Sequence, residues 1–308
     1  MASLLDIKDR IKAVENIKKI TRAMQLVAAA KFKRSEDRAK TTRPYSQELD
    51  EVLGILAGLA AESEDDTSSA FELAFTEGEE PLRVEGSKLF EQADDAEPKR
   101  PGVVLFTADR GLCGAFNTKL IRAAQQFVGS HPDMECQLIS VGKKGYTYFK
   151  TRDIPIIHHE EGLSDKLELD EIKRITHLLV DLYVSGKVDA LYFIYAQFQS
   201  AMVSNIQTEK FLKIPRVEGA KEQEDYILEP ERQAVYETLL PLYATTKVFA
   251  TLADSFASEY GARMTAMQLA TKNAEEMYDD LVILRNRLRQ AVITKELAEI
   301  VGGAEALR

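Results

Sequence analysis

The C-terminal quarter of the sequence carries the clearest hydrophobic pattern in the chain. Between Leu242 and Val301, apolar residues recur every three or four positions, and Gly261 is the one glycine in that span. This spacing predicts a continuous amphipathic helix roughly 90 Å long at about 1.5 Å per residue. Charges such as Glu275 and Arg285 exclude a membrane span, so the helix needs a partner helix. The stripe comprises Phe249, Leu252, Phe256, Tyr260, Met264, Met267, Ala270, Ala274, Met277, Leu281, Leu284, Leu288 and Ala291.

The N-terminal residues repeat the same pattern. Their apolar stripe is Leu4, Ile7, Ile11, Val14, Ile17, Ile20, Met24 and Val27. With no glycine or proline before Pro44, this segment predicts one helix that ends there, and residues 45–61 predict a second. Long amphipathic helices at opposite ends of one chain can pair as an antiparallel coiled coil. We therefore expect residues 1–61 to supply the first helical arm of this coiled coil. Residues 216–308, a polar connector followed by the long helix, supply the second.

The middle of the chain has a different character in each of its halves. Residues 62–100 are rich in Asp and Glu, and we expect an acidic insertion or linker that buries little, with one short edge strand over Phe71–Phe75. Residues 101–215 alternate between strand and helix patterns, which predicts a mostly parallel sheet covered by helices. The predicted strands are 103–107, 136–141, 154–158, 189–195 and an edge strand 203–212, and the predicted helices are 117–128 and 169–185.

Composition narrows the classes of function. The chain has 308 residues and a formal net charge of −10, which argues against nucleic-acid binding, although the first 43 residues hold twelve basic and five acidic side chains. That basic face is either a solvated surface or a surface that meets an acidic partner. The two cysteines, Cys113 and Cys136, make no disulfide framework and are typical of a reducing compartment. The N-terminus lacks the pattern of a secretory signal.

The sequence offers one candidate nucleotide site. A strand, a glycine-bearing turn and a helix at Thr107–Asn117 is the arrangement at which α/β folds bind phosphate. The glycines, however, fall as Gly111-Leu-Cys-Gly114, and neither GxGxxG nor GxxxxGK[ST] occurs. We therefore interpret Gly111, Cys113 and Gly114 as a structural turn and predict no cofactor and no catalytic residue.

A metal site is a second possibility, at His158-His159-Glu160-Glu161. Adjacent residues at a strand end point to opposite faces, so they do not easily share one ion. We expect a solvated loop there and no metal.

Three blocks of sequence resemble a known family. These are ITRAMQLVAAAK at Ile20–Lys31, TADRGLCGAFN at Thr107–Asn117 and RQAVITKEL at Arg289–Leu297. In this order, and spread over nearly the whole chain, they resemble the gamma subunit of F-type ATP synthases. The resemblance implies an antiparallel coiled coil of the terminal helices on a Rossmann-like α/β domain. It also implies a non-catalytic rotor subunit in the central stalk, which transmits torque between a membrane ring and the catalytic subunits.

The resemblance also implies partners. The coiled coil would stand in a hexamer of alpha and beta subunits, and the base would touch the epsilon subunit and the c-ring of a complex that also holds a delta subunit. Residues expected to contact the beta-subunit loops and the apolar lining of the hexamer are Met24, Lys31, Arg34, Arg289, Gln290, Leu297 and Ile300. The expected location is peripheral, on the cytoplasmic face of the bacterial plasma membrane, with membrane contact through the c-ring alone.

Two other functions stay open on the sequence. The chain could be an α/β enzyme that binds a nucleotide at Gly111–Gly114 and dimerises through its helices. Alternatively, it could be a coiled-coil adaptor whose basic N-terminal helix binds membrane lipid or nucleic acid, with salt-dependent affinity.

Overall fold

The computed structural model describes residues 4–62, 70–75, 80–90, 97–152, 154–214, 229 and 231–306. The helices are α1 (Leu4–Glu62), α2 (Gly86–Leu89), α3 (Phe116–Ser130), α4 (Lys143–Phe149), α5 (Leu169–Val184) and α6 (Arg232–Ala306). The strands are β1 (Ala70–Leu73), β2 (Leu82–Glu85), β3 (Pro101–Phe106), β4 (Gln137–Val141), β5 (Ile156–Glu160), β6 (Ala190–Phe198) and β7 (Ser204–Leu212). The chain forms two compact units, residues 1–29 with 263–308 and residues 30–262.

The first unit is a pair of antiparallel helical segments, one from α1 and one from α6. Lys18 Nζ lies 2.6 Å from Glu275 Oε1, and Thr271 Oγ1 donates a hydrogen bond of 2.9 Å to Thr21 Oγ1. From the first pair to the second the position on α1 rises from 18 to 21, while that on α6 falls from 275 to 271. The two segments therefore run antiparallel. The buried apolar side chains of this unit are Ile7, Ile11, Val14, Ala28, Met267 and Ala274. The predicted antiparallel pairing is confirmed.

The second unit is built on a five-stranded sheet with the order β5-β4-β3-β6-β7. Four of its strands are parallel, and β7 pairs antiparallel with β6 at one edge. The mostly parallel sheet and the edge strand predicted from the sequence are therefore confirmed. Helices α3 and α5 begin and end within about two residues of the predicted bounds.

Both faces of this sheet are buried, because successive side chains of a strand point to opposite sides. In β3, Val104 and Phe106 belong to the larger core, which α1, α5 and α6 complete with residues such as Leu53, Ile172 and Val248. Val103 and Leu105 belong to the smaller core, which α3 and α4 complete with Leu120, Ala124 and Phe149. The sheet thus holds the second-unit segments of α1 and α6 on one face.

The prediction that the acidic segment 62–100 buries little is wrong for its described residues. Strands β1 and β2 form an antiparallel hairpin, and the expected edge strand is β1. Phe71, Leu73, Phe75, Val84, Leu89 and Phe90 are all buried in the larger core. Phe71 packs edge-on against Tyr236 of α6 at 5.3 Å between ring centroids. The acidic composition suggested little burial, although the alternating apolar residues of the predicted strand fit one buried face.

The helix end expected at Pro44 and the helix start expected at Leu242 are also wrong. Pro44 lies inside α1, and Pro241 lies inside α6, which begins at Arg232. A proline inside a helix removes one backbone hydrogen bond, at a cost of about 3 kcal/mol or more. Burial on both sides of each proline offsets this cost, with Ala39 and Leu49 around Pro44 and Leu240 and Tyr243 around Pro241. The predicted polar connector, residues 218–229, lies outside the described residues except for Glu229.

Gly261 of α6 allows the turn between β6 and β7 to approach the helix. A Cβ atom at this position would lie 2.9 Å from the carbonyl oxygen of Ala201 and 3.3 Å from the ring of Phe32. We predict that Gly261→Ala lowers the free energy of unfolding by about 1–3 kcal/mol, because the backbone of the turn must move.

Gly129→Ala is the matched control, because a Cβ atom there meets nothing within 4 Å in α3. It should be neutral or stabilise by up to about 1 kcal/mol. Urea unfolding of both variants measures the difference, and equal effects at the two sites would contradict the close approach.

Candidate functional site

The turn after β3 is closed by its own side chains. Leu112 and Gly114 adopt positive φ angles of 63° and 58°. The side chain of Asn117 accepts a hydrogen bond from the amide of Ala108 at 2.9 Å and donates one to the sulfur of Cys113 at 3.1 Å. Cys113 is buried and forms no disulfide. Gly111, Cys113 and Gly114 thus lie together in a compact strand-to-helix turn.

Asp109 connects the turn after β3 to the start of α4 and to the loop after β5. Asp109 accepts hydrogen bonds of 2.9 Å from the backbone amides of Lys143 and Gly162, one on each carboxylate oxygen. Thr107 Oγ1 accepts a third bond of 2.9 Å from the amide of Gly145. The amides of Lys143 and Gly145 in the first turn of α4, a position that can bind an anion, are therefore already bonded within the chain.

The pair His158-His159 lies in strand β5, so the prediction of a solvated loop is wrong. The ring of His159 stacks on Tyr146 with 3.9 Å between centroids, and His158 Nε2 lies 3.5 Å from Glu160 Oε2. Arg174 donates two hydrogen bonds to Glu160 and lowers the pKa of that carboxyl. The ring of His159 thus packs on an aromatic side chain, and that of His158 lies beside a carboxylate. Within the described residues, no group of three potential ligands could hold a metal ion.

The end of α6 is a long exposed surface. Every side chain from 291 to 303 is exposed, and Arg289 and Gln290 directly before them are exposed as well. Leu297 is 57% exposed and Ile300 is 68% exposed, and they share this end with exposed Val292, Ile293 and Val301. Apolar side chains clustered in this way mark an interaction surface.

The three candidate residues on α1 differ in their surroundings. Met24 is half-buried and Arg34 is exposed. Lys31 is engaged inside the second unit, with its Nζ 3.2 Å from Asp165 and 5.3 Å from the centroid of the Tyr260 ring. Its charge is therefore partly balanced within the chain, whereas that of Arg34 faces solvent.

Sequence reasoning missed a partly buried ionic network in the second unit, in which Lys247 and Asp254 are buried and their partners are about one-third exposed. Lys247 of α6, with a side chain 9% exposed, places its Nζ 2.8 Å from Asp50 Oδ2 and 2.6 Å from Glu209 Oε1. Burial alone would lower the pKa of Lys247, but the two carboxylates outweigh it and raise the pKa. Tyr195 donates a further hydrogen bond to Glu209 at 3.1 Å. Lys247 thus stays charged, bonded to α1 on one side and to β7 on the other.

A second ion pair lies in the same network. Arg43 of α1 donates hydrogen bonds to Asp254 Oδ1 at 2.8 Å and to the carbonyl oxygen of Phe198 at 2.6 Å. Burial raises the pKa of Asp254 to about 6, against the opposing effect of Arg43. The network lines a polar cavity of about 390 Å³. Its signal in the sequence is a second stripe on α6, the polar residues Lys247, Thr251, Asp254 and Ser258.

Comparison with known proteins identifies the family. A family model described as ATP synthase matches residues 3–307. The chain is 38% identical to the ATP synthase gamma chain of Chlorobium luteolum and 38% identical to that of Moorella thermoacetica, with all of both chains covered in each case. The chain belongs to the ATP synthase family.

Solved structures of ATP synthases share the fold. A chain of the Euglena gracilis mitochondrial ATP synthase in rotational state 3 has a TM-score of 0.65 and 16% identity, over 99% of this chain and 94% of that one. A chain of the Euglena rotor has a TM-score of 0.60 and 17% identity, over 94% and 98%. At these identities the likeness concerns the fold.

These relatives confirm the resemblance to gamma subunits that the three sequence blocks indicated. Membership in the ATP synthase family, with full-length similarity to its gamma chains, supports the central-stalk rotor function and a non-catalytic role in the complex. Among the described residues, no helix is both long and apolar enough to cross a bilayer.

Asp254 gives this ATP synthase family member a pH-dependent stability. Its raised pKa means that the folded chain binds this proton more tightly than the unfolded chain does. The side chain therefore stabilises the fold fully below pH 3.8, and this contribution is lost as the pH rises through 6. We predict that the free energy of unfolding of the native chain, relative to Asp254→Asn, falls by up to about 3 kcal/mol between about pH 4 and 7.

Urea unfolding followed by circular dichroism at several pH values measures this difference. A native-to-variant difference that stays constant over the whole range would contradict the raised pKa.

Proposed function

We propose that this chain is the central-stalk rotor subunit of an F-type ATP synthase and carries torque between a membrane ring and a catalytic hexamer. The main support is the exposed apolar end of α6, which belongs to an antiparallel pair of helices. The chain is also similar to ATP synthase gamma chains over its full length. Helices α1 and α6 are called the helix pair below. An exposed surface of this kind needs a partner that surrounds it, and a ring of six subunits provides one.

The distal end of α6 is the surface that turns in the hexamer. Leu297 and Ile300 present apolar side chains, and contacts between apolar surfaces are non-directional. A helix with such an end can rotate without breaking a fixed set of hydrogen bonds. Arg289 and Gln290 lie just before this end and would supply the directional contacts to a loop of the beta subunit, which set register more than affinity.

A second contact lies on α1. Met24 and Arg34 would face an acidic loop of the beta subunit, with Arg34 supplying the exposed charge. Lys31 would add less to this contact, because Asp165 and Tyr260 already hold its ammonium group. Weak polar contacts suit this surface, since they break and reform in every turn.

The α/β domain would connect the subunit to the membrane. This domain, residues 101–215, would contact the epsilon subunit and the c-ring, while the described part of residues 62–100 extends its core. The remaining segments, 1–61 and 216–308, supply the helix pair. The delta subunit belongs to the same complex, and the assembly lies peripherally on the cytoplasmic face of the bacterial plasma membrane.

The proposal is tested by comparing the chain alone with the chain in its complex. We expect the purified chain to show neither ATPase activity nor stoichiometric ATP binding by calorimetry. A tagged chain recovered from the membranes of its source should bring down ATPase activity together with alpha and beta subunits in excess over itself. Stoichiometric ATP binding by the chain alone would favour the enzyme. Salt-dependent binding to anionic vesicles or nucleic acid, without other subunits, would favour the adaptor.

Arg289→Ala tests the contact at the end of α6. We predict that ATP turnover by the assembled complex falls about three- to tenfold, since a charge-assisted hydrogen bond contributes about 1.5–3 kcal/mol, part of it in the rate-limiting state. The circular dichroism spectrum and melting of the isolated chain should not change, because Arg289 is exposed.

Arg287→Ala is the matched control, with an exposed arginine two residues away on another side of the helix. Equal turnover in the native complex and in the Arg289→Ala complex would remove this residue from the contact.

A further inference from the structure

We propose that the partly buried ionic network of the second unit is the joint through which the sheet turns the helix pair. The network, called the joint below, consists of Arg43, Asp50, Glu209, Lys247 and Asp254. This inference rests on the proposed rotor function and assigns positioning residues for torque transfer. The joint lies wholly within residues 30–262.

Each bond of the joint connects two different elements. Lys247 links α6 to Asp50 of α1 and to Glu209 of β7. Arg43 links α1 to Asp254 of α6 and to the end of β6 at the Phe198 carbonyl oxygen. No relative rotation or sliding of α1, α6 and the β6–β7 hairpin can occur here without stretching several of these bonds together.

The polar stripe of α6 extends this attachment along the sheet. One helical turn beyond Asp254, the hydroxyl of Ser258 donates a hydrogen bond of 3.0 Å to the carbonyl oxygen of Ala196 in β6. Ser258 and Lys247 are therefore attached to neighbouring strands, about 16 Å apart along the helix. Attachment at two such distant points resists turning of α6 about its own axis.

The chemistry of the joint fits a mechanical role better than a purely stabilising one. Burying charges is costly, and a buried ion pair is often no more stable than apolar residues of the same size. Apolar packing, however, is non-directional and permits small rotations, whereas hydrogen-bonded charges fix register and orientation. The larger core already supplies apolar burial on this face of the sheet. The ionic groups add resistance to rotation and sliding of α1 and α6 against the β6–β7 hairpin.

The variant that tests the joint must not leave two neighbouring carboxylates without their cation. Lys247→Met alone would leave the carboxylates of Asp50 and Glu209 without the ammonium group that pairs with them. The chain could fail to fold for that reason. The main variant is therefore Lys247→Met with Asp50→Asn and Glu209→Gln, which removes the three charges at nearly constant volume. Lys247→Arg keeps the charge and is the rescue variant. Lys187→Met is the matched control, because Lys187 is exposed.

Two activities of the assembled complex separate a joint from a structural role. In the hexamer detached from the membrane nothing loads the base of the rotor, so ATPase activity of the triple variant should stay within about twofold of native. In the membrane-bound complex the sheet must turn the ring, so ions pumped per ATP hydrolysed should fall about fivefold or more. Lys247→Arg should recover much of this loss, and Lys187→Met should pump as the native complex does.

Other outcomes overturn the inference. Unchanged pumping per ATP in the triple variant would mean that the joint carries no torque. A parallel loss of detached ATPase and of hexamer binding would mean that these residues act through folding alone. Failure of the proposed function is distinguishable from both, because then the native chain itself would not assemble with the hexamer.

Discussion

The pairing of the two ends of the chain as antiparallel helices constrains everything between them. The chain between α1 and α6 must begin at the end of one helix and finish at the start of the other. The mostly parallel sheet, with helices on both faces, makes this connection. The larger core then includes residues from α1 and α6, so the sheet and the helix pair of the second unit share one hydrophobic interior. An enzyme domain that carried a separate coiled coil would have no need of such a shared core.

Much of this arrangement follows from periodicity. Runs such as Val103–Phe106 and the stripe at Ile7, Ile11 and Val14 report burial directly, and their elements appear where predicted. The errors occur where composition or a single residue conflicts with tertiary packing. Pro44 and Pro241 are local breakers that surrounding burial overrides. The acidic residues near Phe71 hide the burial of the strand predicted there, whose apolar face meets the core.

The candidate sites also differ in whether their residues form a local pattern in the sequence. The block TADRGLCGAFN and the exposed end of α6 were visible in the sequence because their patterns are local or periodic. The network of Arg43, Asp50, Glu209, Lys247 and Asp254 was not, because its members are separated by up to about two hundred positions and meet only when the antiparallel register sets α1 against α6. Single charges on an amphipathic helix look like solvated positions until a partner is placed opposite them.

The carboxylate of Asp109 has a consequence for a machine that works on nucleotides. An anion attached to the chain through its own backbone does not dissociate, so its occupancy is the same at every concentration of ATP, ADP and phosphate. The bonds from Asp109 to the start of α4 and to the loop after β5 are therefore independent of those concentrations. Two connections at this edge of the sheet need no bound nucleotide or phosphate to hold them.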